Sequence, residues 1–194
     1  MFTEGLVEAG GVRLRYVEAG QGAPLVHLSG PGAPRPTAAD ELLARHFRVL
    51  ALEAPGGSSV DGLGEAITRL GVESFDLIGS SRGAEAALRL ALQEAGRVRA
   101  LVLEAPTVGG GDLEPRLPRI AAPTLVLLGT RDATAAALGR VCQTQIPACH
   151  LVFVYDAVHA IGAERPEAFA EVVADFLERH EAFVISRART VIHP

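Results

Sequence analysis

The 194-residue sequence has little cysteine: only Cys142 and Cys149. Two thiols seven residues apart make neither a disulfide framework nor a zinc-finger spacing, so both read as packing thiols in a reducing compartment. It has no long apolar run. Nothing approaches the roughly 18 residues that a membrane-spanning helix needs. The start of the chain carries Glu4 and Glu8 and no apolar segment behind a basic one, so no signal peptide is expected. It has no excess of positive charge either. Eighteen Lys and Arg against 23 Asp and Glu give a net charge of −5, with no basic cluster, which argues against nucleic-acid and anionic-membrane partners. No segment joins low hydrophobicity to high charge, so extended disorder is not expected. A soluble cytoplasmic protein follows by default.

What the sequence does have is a hydrophobic fraction of 48%, enough for a sizeable core. The length suits one domain, read here as residues 1–180 with a tail over 181–194. Residues 6–9 and 12–18 read as a hairpin across Gly10-Gly11. Short apolar runs at 25–29, 48–52, 75–78, 98–103, 124–128 and 150–155 read as strands. Helical patterns at 38–46, 60–70 (with Asp61 as cap), 82–95, 133–141 and 166–179 separate them. Strands that are continuously apolar are buried on both faces, and the β-α alternation predicts an α/β fold with a mostly parallel sheet, helices on both faces and right-handed crossovers. Residues 107–122, rich in Gly and Pro, read as a loop. The strand-like tail after Glu181 reads as an added edge strand, a homodimer contact or a partly ordered end.

The strongest chemical signal is Gly79-Ser80-Ser81-Arg82-Gly83, a G-x-S-x-G sequence between a strand and an Ala-rich helix. Such a turn presents Ser81 at a sharp strand-to-helix corner, and small residues at 79 and 83 let strand and helix approach it. A serine hydroxyl needs a base to become a nucleophile, and histidine titrates near neutrality. Of the six histidines, His159 lies on a loop after a strand. His46 and His180 fall on helices, His150 at the wrong end of a strand, His193 in the tail. His27, at a strand end, reads as structural or as support to the site. The acid that orients the imidazole is read as Asp132, again just after a strand. Asp132 would equally serve as a helix N-cap. Glu104 is the competing acid, and Asp156 would have to fold back to reach His159. For the oxyanion hole the expected donors are the amide of Arg82 and that of Gly30 or Ser29.

These residues carry a resemblance to the α/β-hydrolase fold family. It runs to about His180 and rests on HLSGPGA as the oxyanion loop, LEAPGGSS, GSSRG as the elbow, GTRD as the acid turn, and VHAIGAERPEAFAEVVADFL as the histidine loop and last helix. The resemblance implies an eight-stranded, mostly parallel sheet and a cofactor-free acyl-enzyme mechanism on a small ester or acyl substrate, with no metal. The sequence departs from the family pattern in three ways. Leu28 follows His27 where glycine is usual, and Val158 precedes His159. Only 51 residues separate Ser81 from Asp132, too few for the helical lid of many relatives. The expected activity is therefore that of a lidless carboxylic-ester hydrolase with an open site, a thioesterase close behind. HLSGPGA is also similar to the loop of the meta-cleavage-product C–C hydrolases. The alternative of another class is a non-catalytic binding or regulatory module.

Overall fold

A computed structural model describes residues 1–30, 32, 35–54, 60–107, 111–183 and 192–193, with only the backbone of Glu181 and of 192–193. Residues 31 and 33 of the oxyanion loop, 55–59 of LEAPGGSS, 108–110 and most of the tail lie outside the described residues. The chain runs β1 (Thr3–Ala9), β2 (Val12–Ala19), β3 (Ala23–Ser29), α1 (Ala38–Leu43), β4 (Phe47–Glu53), α2 (Leu63–Arg69), β5 (Phe75–Ser80) and α3 (Gly83–Gln93). Then follow β6 (Val98–Glu104), β7 (Thr124–Gly129), α4 (Ala135–Gln145), β8 (Cys149–Val154), α5 (Ile161–Glu164), α6 (Pro166–Arg179) and β9 (Ile192–His193).

Among the described residues these strands form one sheet in the order β1-β2-β4-β3-β5-β6-β7-β8-β9. The hairpin β1–β2 is the antiparallel edge, and β2 also meets β4 antiparallel. From β4 onward every pairing is parallel. Eight strands carry the sheet; the ninth is a two-residue addition from the tail, pairing Ile192 with Phe153 and His193 with Val154.

The central strands alternate their side chains between two apolar layers. On one side Leu77 and Leu101 pack with α2, α3 and α4. On the other, Ile78 and Val102 pack with α1, α5 and α6. Leu77 and Leu101 on one face and Ile78 and Val102 on the other are all wholly buried, which is why these strands read as continuous apolar runs rather than as alternation.

The structure corrects some local expectations. The cap of α2 is Gly62, in a left-handed conformation at φ 79° and with no side-chain cap, in place of Asp61. The loop over 107–122 includes a 3-10 turn at Glu114–Arg119, where Pro115 and Pro118 suit tight turns better than an α-helix. The short helix α5, four residues long and starting two residues after His159, has too few residues to show a period.

Candidate active site

Parallel strands all end on the same edge of the sheet, so the loops after β5, β7 and β8 converge there. Ser81 follows β5 immediately. Its φ is 53°, the left-handed region that non-glycine residues rarely adopt. Such a residue costs about 1–3 kcal/mol and persists only where its surroundings hold it. Two main-chain bonds from the end of β6 do so: Ser81 N–H donates to the Glu104 carbonyl at 2.8 Å, and Thr107 N–H donates to the Ser81 carbonyl at 3.2 Å. The flanking glycines are required by close approach. A Cβ at Gly79 would lie 2.5 Å from the Ala87 Cβ, and one at Gly83 would collide with the Leu28 carbonyl oxygen. These contacts press α3 and the elbow against β5 and β3.

His159 lies on the loop after β8, and its Nε2 is 2.8 Å from Ser81 Oγ. Its Nδ1 is 2.7 Å from Asp132 Oδ2. The Asp132 carboxyl resists burial and is held down to about 2 by bonds from Thr134, His159 and the Ala135 amide. It is therefore a carboxylate near neutrality and can only accept hydrogen bonds, so the proton between them sits on Nδ1. In the neutral ring this leaves the Nε2 lone pair facing Ser81. The two carboxyl oxygens of Asp132 have different partners. Oδ2 takes His159, while Oδ1 accepts from Thr134 N at 2.9 Å, Thr134 Oγ1 at 2.6 Å and Ala135 N at 3.1 Å at the start of α4, whose N-cap position is Thr134 rather than Asp132.

Arg82 is the N-cap of α3, no side chain caps that helix start, and the Ala84 amide donates to the Ser81 carbonyl at 3.1 Å. Gly30 is beside it: a Cβ there would lie 3.4 Å from Arg82 Cβ and Nε. Ser29 ends β3, its Oγ 3.5 Å from the Leu52 carbonyl. Glu53 accepts from Gly32 N at 2.7 Å and so ties the oxyanion loop to the end of β4.

The other candidates fall elsewhere. Asp156 does not turn to the imidazole; it pairs with Arg131 at 3.0 Å. Glu104 is not an acid for His159. Both of its carboxyl oxygens are engaged, Oε2 by the Ser80 hydroxyl and Oε1 by Gly162 N at 2.7 Å. His27 lies in that same network, with Nε2 2.7 Å from Ser80 Oγ and Nδ1 2.7 Å from Asp40 Oδ1. His180 lies near Asp76, at the opposite end of β5 from Ser81.

Sequence reasoning missed three residues. Asp40 lies in the first turn of α1, where it completes a capping box with Thr37 and also bonds His27. The available signal was His27 itself: a histidine inside an apolar strand requires a buried partner. Ser80 is an unassigned position of the G-x-S-x-G in the sequence. Glu164 was read as part of the run before α6. Its carboxylate accepts from three successive amides of the histidine loop, Val158 at 2.7 Å, His159 at 3.2 Å and Ala160 at 3.0 Å. Those amide bonds, first that from Val158, hold its carboxyl below the usual range.

The fold has parallels among solved structures. The chain superposes on a serine hydrolase from Cycloclasticus zankles with a TM-score of 0.79, 15% identity, and coverage of 92% of this chain and 98% of that one. It superposes on the enol-lactonase of Burkholderia xenovorans with a TM-score of 0.77, 22% identity, and coverage of 90% and 100%. The chain has the α/β-hydrolase fold. It is a compact example: residues 105–123 join β6 to β7, and among those described the regular structure is one 3-10 turn, with no lid helix. No protein-family model matches the sequence. Among curated proteins, it is 30% identical over 192 residues to the 2-hydroxy-6-oxononadienedioate/2-hydroxy-6-oxononatrienedioate hydrolase 2 of Pseudomonas putida. That match takes in 88% of this chain but only 62% of the relative's length.

Proposed function

We propose that this α/β-hydrolase-fold chain is a serine hydrolase of carboxylic esters or thioesters, with Ser81 as nucleophile, His159 as base and Asp132 as its orienting acid. The observation that carries the reading is the continuous relay Ser81–His159–Asp132, at 2.8 and 2.7 Å, with the imidazole proton assigned to Nδ1. Ser81 Oγ attacks the substrate carbonyl while its proton passes to His159 Nε2. Asp132 stabilises the imidazolium. The amides of Arg82 and of Gly30 or Ser29 hold the oxyanion. His159 then returns the proton to the leaving alcohol or thiol, and water, activated by the same ring, releases the acid.

A second Ser–His–Asp set, Ser80–His27–Asp40, runs one residue away. Its hydroxyl is bonded to Glu104 as well as to His27, and His27 and Asp40 are buried at 4% and 0% exposure. Ser80 ends a strand rather than occupying the strained turn. These facts favour Ser81 as the reacting serine.

The similarity to the Pseudomonas hydrolase supports a second reading, hydrolysis of a carbon–carbon bond in an oxo-acid, which the same serine relay and oxyanion donors serve. A non-catalytic binding module is the remaining rival. Hydrolysis of p-nitrophenyl esters from acetate to octanoate, with fluorophosphonate labelling alongside, separates them. Turnover with label on Ser81 supports the esterase, and the short-chain esters are expected to react fastest. Labelling without ester turnover moves the reading to the C–C hydrolase. Neither signal moves it to the binding module.

The histidine loop offers a further check. Glu164→Ala removes the acceptor for three amides from an exposed position. It is expected to lower kcat about tenfold by loosening His159, while the unfolding temperature moves by less than about 5 °C.

A further inference from the structure

The buried network beside the elbow has no step in the mechanism above. It consists of Asp40, His27, Ser80 and Glu104, and three of the four are almost fully buried. Every carboxylate oxygen in it has a donor. Asp40 Oδ1 faces His27, and its Oδ2 accepts from Thr37 N at 2.7 Å and Thr37 Oγ1 at 2.9 Å. Glu104 is held by Ser80 and by Gly162. Burying several ionisable groups costs more than burying apolar ones of like size, so stability alone does not explain their presence.

The links that Glu104 makes do explain it. Ser80 is the residue before the nucleophile. Gly162 lies three residues after the base, in α5. The Glu104 main chain also receives the Ser81 amide at 2.8 Å. One residue at the end of β6 thus grips the elbow twice and the far side of the histidine loop once. We propose that Glu104 is a positioning residue that sets the Ser81–His159 geometry by binding Ser80 and Gly162 together, with His27 and Asp40 bracing Ser80 from behind.

The proton count of the network fits this role. With Glu104 ionised, the Ser80 hydroxyl donates to it and accepts from a doubly protonated His27. With Glu104 protonated, the bonds reverse, and Ser80 donates to a neutral His27. Both patterns contain the same protons, so the clamp stays fully bonded in either. Burial raises the Glu104 carboxyl. Burial opposes the charge on His27, but Asp40 outweighs it and the ring is raised.

This inference rests on the reading that Ser81 and His159 react, and its test is chosen to fail separately. Glu104→Gln reproduces the second pattern, its carbonyl accepting from Gly162 and its amide donating to Ser80. Glu104→Ala removes both bonds. With p-nitrophenyl acetate, Glu104→Ala is expected to lower kcat about 100-fold with KM within about threefold, and Glu104→Gln to stay within about tenfold of the unmodified protein. Ser80→Ala, which removes the hydroxyl's bonds to Glu104 and His27 without opening a large hole, is expected to lower kcat about tenfold and keeps the test readable if Glu104→Ala does not fold. The proton on His159 Nδ1, followed by NMR with 15N-labelled histidine, is expected to lose its protection from exchange in Glu104→Ala and keep it in Glu104→Gln. Unchanged kcat per folded molecule in Glu104→Ala or Ser80→Ala, or an unchanged His159 signal in Glu104→Ala, overturns the proposal. So does a stable fluorophosphonate adduct on Ser80. If the unmodified protein neither turns over nor labels, the catalytic reading falls and the His159 signal alone decides the clamp.

Discussion

Ser81→Ala is expected to lower kcat/KM for p-nitrophenyl esters by roughly 10⁴-fold or more and to abolish fluorophosphonate labelling, with the fold intact. In the proposed mechanism the hydroxyl is the group that enters the covalent intermediate, and only the oxyanion donors and substrate binding would remain without it. The Ala side chain fits the turn, because the φ of 53° is held by Glu104 and Thr107 and not by the hydroxyl. Asp132→Asn should give a loss of about 10²–10⁴-fold by a different route. Oδ1 of Asp132 accepts three bonds at the start of α4. An Asn there must place its carbonyl on those donors, which turns its amide N–H₂ toward His159 Nδ1. The ring is then forced into the tautomer with the proton on Nε2, and it can no longer accept from Ser81. Steady-state kinetics and circular dichroism on both variants check this. Ester turnover retained in Ser81→Ala would remove Ser81 from the mechanism.

Asp40→Ala is expected to destabilise the protein by about 3–5 kcal/mol, the usual result of removing one partner from a buried charged pair. For a chain of this size that lowers the unfolding temperature by about 10 °C or more. Asp40 is wholly buried, His27 nearly so, and the two meet at 2.7 Å. Burial works against the Asp40 charge, but His27 and the Thr37 bonds lower its carboxyl on balance. Its contribution is therefore present above its ordinary value of 3.8 and lost as the pH falls through the depressed one. His27 behaves in the opposite sense. Its raised value adds stability that is complete below the ordinary 6.5 and disappears as the pH rises through the raised value. The difference between Asp40→Ala and the unmodified protein should be widest between about pH 4 and 6.5. Denaturant unfolding across that range measures it. A flat difference would mean that the pair is not charged as described.

The elbow was legible because its requirement is local. A strand, a G-x-S-x-G and a helix occupy the nineteen consecutive residues 75–93, and the steric reason for each glycine acts within that stretch or on the nearest strand. The same holds for the position of Asp132 and His159 after strands, since a parallel sheet brings all carboxyl ends to one edge. Helix ends were less legible. Gly62 displaced Asp61 as a cap because backbone conformation there satisfied the turn without a side chain. Glu104 was noticed as a polar residue at a strand end and weighed against Asp132 as the partner of His159, and His27 as structural or as support to the site, but neither was connected to Ser80. Nothing local distinguishes a carboxylate that faces His159 from one that faces Ser80; the alternation of side chains across β3, β5 and β6 decides it.

Periodicity, strand-end placement and the order Ser81, Asp132, His159 were enough to specify the α/β architecture and the three candidate reacting side chains, because both follow from short-range sterics and a single topological rule. The pairing of Ser80 with His27 and Glu104, of Glu104 with Gly162 across 58 residues, and of Glu164 with the histidine-loop amides arose only from the folded chain. The bonds of Ser80 and Glu104 join residues 24 to 58 positions apart and form only where sheet register and helix packing bring donors and acceptors into contact, while Glu164, four to six residues from its donors, meets them only because the chain between folds back.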